Sequence, residues 1–461
     1  MPKHHVFIPG WVRNAIAALC ILGLVSTSGC VNGESVVSTT HDASAAARAH
    51  RSNARRTKAA ARPTVGDVLV AGGADASDQS LPSAEFFDPT AGKFVATADS
   101  AASRAGAAAA AMPASTVLLS GGFDGTASVK HFSLSLDGNV LKSAEVFDPT
   151  TGAFTSAAPM NTPRMGFTAT PLDNGKVLVA GGLDNSGDIL DSAELYDPAA
   201  RKFTAVAITM SDRRIFHTAT LLQGGKVLIT GGATNLSGDT TNSVDLYDPA
   251  TNSFTATNFP LDHERAAHTA TLMTTGPLAG KVLIAGGGGG SSFFFKDSSA
   301  ELYDPASQQF HLLASFLNEA RSMHTATLLD DGNILLAGGF NGSVAISGGV
   351  LSGASGSISN SAETFDPNTL EFTCVGGFNT DTLRCNQSMS VARAGHTATL
   401  LSSGPLPHRV LLAGGIGASD PNAHGVALSN ADLFNPANGG SFTATGAMST
   451  ARALHTATLL H

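Results

Sequence analysis

Arg214-Ile215-Phe216-His217-Thr218-Ala219-Thr220-Leu221-Leu222, then Lys226-Val227-Leu228-Ile229-Thr230-Gly231-Gly232, then Val244-Asp245-Leu246-Tyr247-Asp248-Pro249 and Phe254, form one copy of a phrase written seven times. The Gly pairs fall at 72–73, 121–122, 181–182, 231–232, 286–287, 338–339 and 414–415, so successive first glycines lie 49, 60, 50, 55, 52 and 76 residues apart. A period near 50 residues marks a radial or stacked array rather than a set of unrelated domains. Each pair is followed by an acid, an aromatic and an Asp-Pro or Asn-Pro turn, as in Glu194, Tyr196, Asp197 and Pro198. A Phe stands seven positions after that aromatic, or eight in the last copy, Phe434 to Phe442.

Each copy reads as four short strands, a to d. Strand a is the His-Thr-Ala-Thr-Leu-Leu run, with Arg and His assigned to it. Strand b is Lys-Val-Leu-Ile, apolar enough to be buried on both faces. Strand c is Ala-Glu-Leu-Tyr, and strand d carries the Phe. Asp and Pro set the turn between c and d. Gly181 and Gly182 end strand b where a side chain would meet neighbouring backbone or where positive φ is needed.

These residues resemble the kelch-repeat family, whose unit pairs a Gly-Gly with a Tyr and a Trp in a four-stranded propeller blade. The resemblance spans residues 66–461. Phe replaces the family Trp in every copy, and Trp11 lies outside the repeats. The resemblance implies an all-β, seven-bladed β-propeller of four-stranded blades. The first copy starts at strand b, Gly66-Asp67-Val68-Leu69, and the last residues, 452–460, are an unaccompanied strand a. The C-terminal strand is therefore expected to complete the first blade and close the ring.

Ahead of the repeats, Lys3 and Arg13 precede the apolar run Ala15 to Val25, and Ser28-Gly29-Cys30 follows. This is a signal-peptide pattern. Its end resembles a bacterial lipobox with Thr27 in the usual aliphatic place, which makes Cys30 the expected lipidation site and residues 1–30 the signal. Simple secretion and an uncleaved anchor are the alternatives. The expected location is the bacterial cell envelope, on a membrane. Residues 31–65 read as a basic Ala/Ser-rich tether with too little apolar bulk to fold.

Residues 1–65 hold eight of the 27 Lys and Arg but two of the 36 Asp and Glu, leaving the propeller near −15. An acidic ring argues against a nucleic-acid partner. It suits cations, sugars or basic proteins. Cys374 and Cys385 share one insertion, and in an oxidising compartment a disulfide between them is expected.

Repeated residues read as scaffold. Gly181, Gly182, Glu194, Tyr196, Arg214 and His217 stand for that set, with the seven Arg matched by seven acids as expected ion pairs. Candidate ligand residues are those that break the repeat: Phe293, Phe294, Phe295 and Lys296 (exposed or folded back as a plug), Asp184 and Asp188 with Asp239 as a weak cation-loop pattern, and His424. The long b–c loops, 123–142 and 340–360, and the Cys374–Cys385 d–a insertion emerge on one face, where function concentrates. No metal site or cofactor is expected, and the chain is expected to be a monomer.

The expected function is a binding module for a glycan or protein partner. The alternative is a sugar-processing enzyme, since kelch-like propellers include sialic-acid mutarotases. Galactose-oxidase-like copper chemistry finds no matching residues, because Tyr196, Tyr247 and Tyr303 all fill the repeat slot.

Overall fold

A computed structural model describes residues 61–461 except 131–132, 237, 290–293, 296, 348–349, 382–383, 387, 403 and 418–425. Seven antiparallel sheets of four strands form the blades of a closed ring. Blade 4 shows the pattern: strand a is Thr218–Leu221, b Val227–Thr230, c Val244–Asp248 and d Ser253–Ala256, in that order from inside to outside. Blade 1 is composite. Its strands b, c and d are Val68–Ala71, Ala84–Asp88 and Lys93–Ala96, and its strand a is the C-terminal Thr456–Leu459, with Val68 opposite Leu459.

Every strand b is buried along its length, as Val227–Thr230 is, except for Arg409 at the start of the blade 7 strand. Its two faces are covered by neighbouring blades, so the seven hydrophobic clusters among the described residues lie between blades rather than in one centre. One joins Leu178, Ala180 and Met210 of blade 3 to Val227, Ile229 and Tyr247 of blade 4. The c-strand aromatic packs tilted on the strand-d Phe in every blade, with ring centroids 4.8–5.2 Å apart. Phe thus fills the aromatic slot by ring packing alone. The c–d turn is fixed each time by its first residue, whose Oδ1 accepts the amide two positions on, as in Asp248 with Ala250 at 2.9 Å. Asn435 does the same for Ala437 in blade 7.

One expectation is corrected. Arg and His do not lie on strand a but just before it, since the strand begins at the following Thr, or at Ala108 in blade 2. The reason is a left-handed residue between them in all seven copies. It is Gly106, Gly166 and Gly395 in three blades, and Phe216, Ala267, Met323 and Leu454 in four, with φ between 51° and 63°. That kink breaks the strand and turns the Arg side chain back onto its own blade.

Candidate binding site on the loop face

The antiparallel order puts the b–c and d–a connections at one end of each blade. The kinked Arg lies at that end and is wholly buried. Arg214 donates from Nη1 to the Gly231 carbonyl at 2.7 Å and from Nη2 to Ser243 Oγ at 2.8 Å and Asp245 Oδ2 at 2.7 Å. All seven Arg pair with the acid of their own strand c, at 2.7–3.2 Å. The Arg main chain meanwhile binds the preceding blade: the Gly182 amide donates to the Arg214 carbonyl at 2.9 Å. A Cβ on Gly181, at φ +66°, would come 2.5 Å from that carbonyl, which is why the pair admits no side chain.

The five repeat histidines bridge neighbouring blades too. His217 Nε2 meets Thr168 Oγ1 at 3.1 Å, and His268 Nε2 meets Thr218 and Thr230 Oγ1 at 3.1 and 3.0 Å. Burial, reinforced by Arg214, pushes His217 down to about 3; the opposing pull of the Arg214 backbone does not offset it. These rings are neutral and engaged with hydroxyls. Among the described residues no three His, Cys, Asp or Glu side chains gather as a group able to hold a metal ion.

The insertions add further strands at the loop end. Thr126–Lys130 pairs with Ser133–Asp137, Phe340–Ser347 with Val350–Ile358, and Ile416–Gly417 with Val426–Ala427. Phe294–Phe295 pairs with Gly342–Ser343, so the fifth b–c loop is tied to the sixth. Phe293, Lys296, His424 and Cys30 lie outside the described residues. Cys374 and Cys385 form a disulfide, with Cα atoms 5.3 Å apart, closing a small hairpin of Phe378–Asn379 on Arg384–Cys385. Asp184 caps its own turn, accepting the Ser186 and Asp188 amides at 2.8 and 2.9 Å. Asp239 is bound by Asn235 at 2.6 Å.

Between blades 3 and 4 lies a polar cleft of about 670 Å³, lined by Asp191, Ser211, Asp212, Arg213, Thr234 and Thr241 among others. Asp191 shares its b–c loop with Asp184 and Asp188. Asp212 Oδ2 accepts from Thr241 Oγ1 at 2.8 Å. Partial burial would raise its carboxyl, but hydrogen bonds from Ser243 and Thr241 and the charges of Arg214 and Arg213 hold it below the usual range. Sequence reading passed over this cleft. Its one signal is that Arg213 and Asp212 precede the repeat Arg where blades 1 and 2 have Ala451 and Thr450, or Ser103 and Ala102.

Blade 5 brings a Ser, a His and an Asp together without a relay. Ser299 Oγ and Asp297 Oδ2 both face the same nitrogen, His263 Nδ1, at 3.1 and 3.7 Å. Ser299 is buried and accepts from Arg265 Nη2 at 2.8 Å. A hydrolytic triad needs the two partners on opposite ring nitrogens.

Ring closure, four-stranded blades and the Gly-pair phrase together define a kelch-repeat β-propeller. A family model for the kelch motif matches residues 164–208, which hold all of blade 3. A search of curated proteins finds no match. Among solved structures, one described as the structure of YjhT is 14% identical, over 74% of this chain and 97% of that one, with a TM-score of 0.50. A fungal alcohol oxidase of the AA5 family in complex with copper is 18% identical, over 80% of this chain and 72% of that one, with a TM-score of 0.54. These similarities bear on fold. Tyr196, Tyr247 and Tyr303 are buried between blades and both described Cys are joined, so these residues do not form a copper site. Propellers of this kind serve as scaffolds for interaction and, in some cases, for catalysis.

Proposed function

We propose that this chain is an exported, lipid-anchored binding propeller that captures a glycan or protein partner on its loop face. The observation that carries the reading is a division between repeated and unrepeated residues. Repeated Arg, His, Gly and acids are used up in joining strands and blades. The insertions, the disulfide hairpin and the polar cleft gather at one end. The cleft mixes carboxylates, hydroxyls and a guanidinium, the convergent polar groups that orient a polyhydroxylated ligand. Export and anchoring rest on the signal pattern of residues 1–30 and on Cys30.

A sugar-processing enzyme on the same scaffold would need a proton donor beside a base. Asp212, its carboxyl held below the usual range, suits the base and not the donor. The test applies the full chain in detergent to immobilised oligosaccharides and purified envelope polysaccharide. Arg213→Ala, at an exposed position, should weaken retention about tenfold, or ~1.4 kcal/mol, with the melting temperature unchanged. Unchanged retention moves the site out of the cleft, and conversion of a sugar without retention favours the enzyme. A Cys30 without diacylglyceryl in the mature chain removes the anchor.

A further inference from the structure

The outer edge of blade 5 departs from the other six. Strand d is the outermost strand of each blade, so one side of its backbone has no partner strand. Exposed edges are commonly guarded by charge, as Lys93 and Lys202 guard blades 1 and 3 and Glu371 guards blade 6. In blade 5 this strand is Gln309-Phe310-His311-Leu312, which like those of blades 2, 4 and 7 has no Lys, Arg, Asp or Glu. It differs from them in Leu312, a large apolar side chain 45% exposed where blades 1, 3, 4 and 7 carry Ala.

Large apolar side chains flank it. Phe259 of blade 4 is 45% exposed and lines, with Pro260, Asp262, Gln309 and His311, a cleft of about 450 Å³ beside the strand. Phe316 is 57% exposed, and its neighbour Ser315 donates to the carbonyl of Leu370 in blade 6. Leu370 is itself exposed, at φ 62° in the c–d turn. Blades 1 and 2 place Gly92 and Gly152 at this position, and blades 3 to 5 place Arg201, Asn252 and Gln308. A left-handed bulky residue is costly, and here the cost is borne while the side chain is left in water.

The surroundings are acidic. Residues 257–386 carry five Lys or Arg against twelve Asp or Glu. Arg265, Arg321 and Lys281 are already in ion pairs, whereas Asp262 and Glu371 flank the strip in exposed positions. An acidic, apolar surface disfavours anionic lipid.

We infer that the edge of Gln309–Leu312, with Phe259, Phe316 and Leu370, docks an extended protein segment of alternating apolar and basic residues, added to blade 5 as a fifth strand. Main-chain hydrogen bonds supply its affinity. Phe259 and Phe316 take its apolar side chains, and Asp262 and Glu371 its basic ones. Phe259 and Phe316 stand on d–a connections, but no residue of this strip lines the cleft between blades 3 and 4, so the docking does not depend on what binds in that cleft.

The test offers the full chain a synthetic peptide of alternating Val and Lys and, as control, one of alternating Val and Glu. The Val-Lys peptide should protect the amides of residues 309–312 from hydrogen exchange. Leu312→Lys, which places a like charge on the edge facing the basic peptide, should weaken its binding about tenfold without changing the melting temperature, and Phe316→Ser should weaken it through loss of apolar contact. Equal protection by both peptides, or none by either, overturns the proposal. So does protection of this edge by phosphatidylglycerol vesicles in preference to the peptide, or by dimerisation of the chain alone.

Discussion

The buried histidines fix how the molecule responds to acid. His217, His324 and His455 are each held at about 3 against an ordinary 6.5, because burial disfavours the charged ring. His268 and His396 are lowered as well. A folded pKa below the unfolded one means that unfolding takes up a proton. Stability is therefore complete above about pH 6.5 and declines as pH falls toward 3, by about 1.4 kcal/mol per pH unit for each ring once protonation of the unfolded chain is complete. His217→Phe, the residue blade 3 already has at Phe167, should keep the fold and make the decline shallower by one proton. Urea unfolding from neutral pH to about pH 4 measures this, and an unchanged slope would refute it. The left-handed residue beside each His gives a second prediction. Ala267 adopts φ 55° where three blades have Gly, so Ala267→Gly should raise stability by about 1 kcal/mol. A loss of stability in the same measurement would count against strain at that position.

At the level of the element, the unit is the Arg that joins strands b and c. Arg265→Ala leaves Glu301 buried without its cation and empties four hydrogen bonds. The expected loss is about 3–5 kcal/mol, seen as a lower denaturant midpoint, with ligand capture by the remaining folded protein unchanged. A normal midpoint with lost capture would place Arg265 in a binding site instead. The strands were legible because their signals are local: alternation, a Gly pair and an Asp-Pro turn repeat at fixed spacing. The ion pairs were legible because seven Arg match seven acids. The kink was not, since Phe216, Ala267, Met323 and Leu454 share no chemistry and only their backbone angle is common. The polar cleft was hidden for a different reason. Asp191 and Thr241 hold the same place in successive repeats, ten residues after Gly181 and Gly231, but the repeat spacing alone does not say that the two loops meet across the seam between blades.

At the scale of the whole molecule, blade 1 is held together by the two ends of the propeller. Arg452 reaches Glu85 at 2.9 Å, and the Gly66 amide donates to the Leu460 carbonyl at 2.8 Å. Deleting residues 451–461 removes strand a of blade 1, its Arg and its His at once. The shortened chain should melt at lower temperature and scatter X-rays as an open arc with a larger radius of gyration. Identical melting and scattering would show that the ring closes without its last strand.

That composite blade also sets a clock on biosynthesis. The chain leaves the ribosome from its N-terminal end, so Glu85 is made hundreds of residues before its partner. Blades 2 to 7 have every strand in one contiguous stretch and can assemble in turn, whereas the first-made blade must wait, three-stranded, until residues 452–460 have been made. Contacts of such long sequence separation are slow to form, and an unfinished sheet edge invites wrong partners meanwhile. Residues 451–461 act as the latch that turns a nascent, adhesive arc into a finished ring.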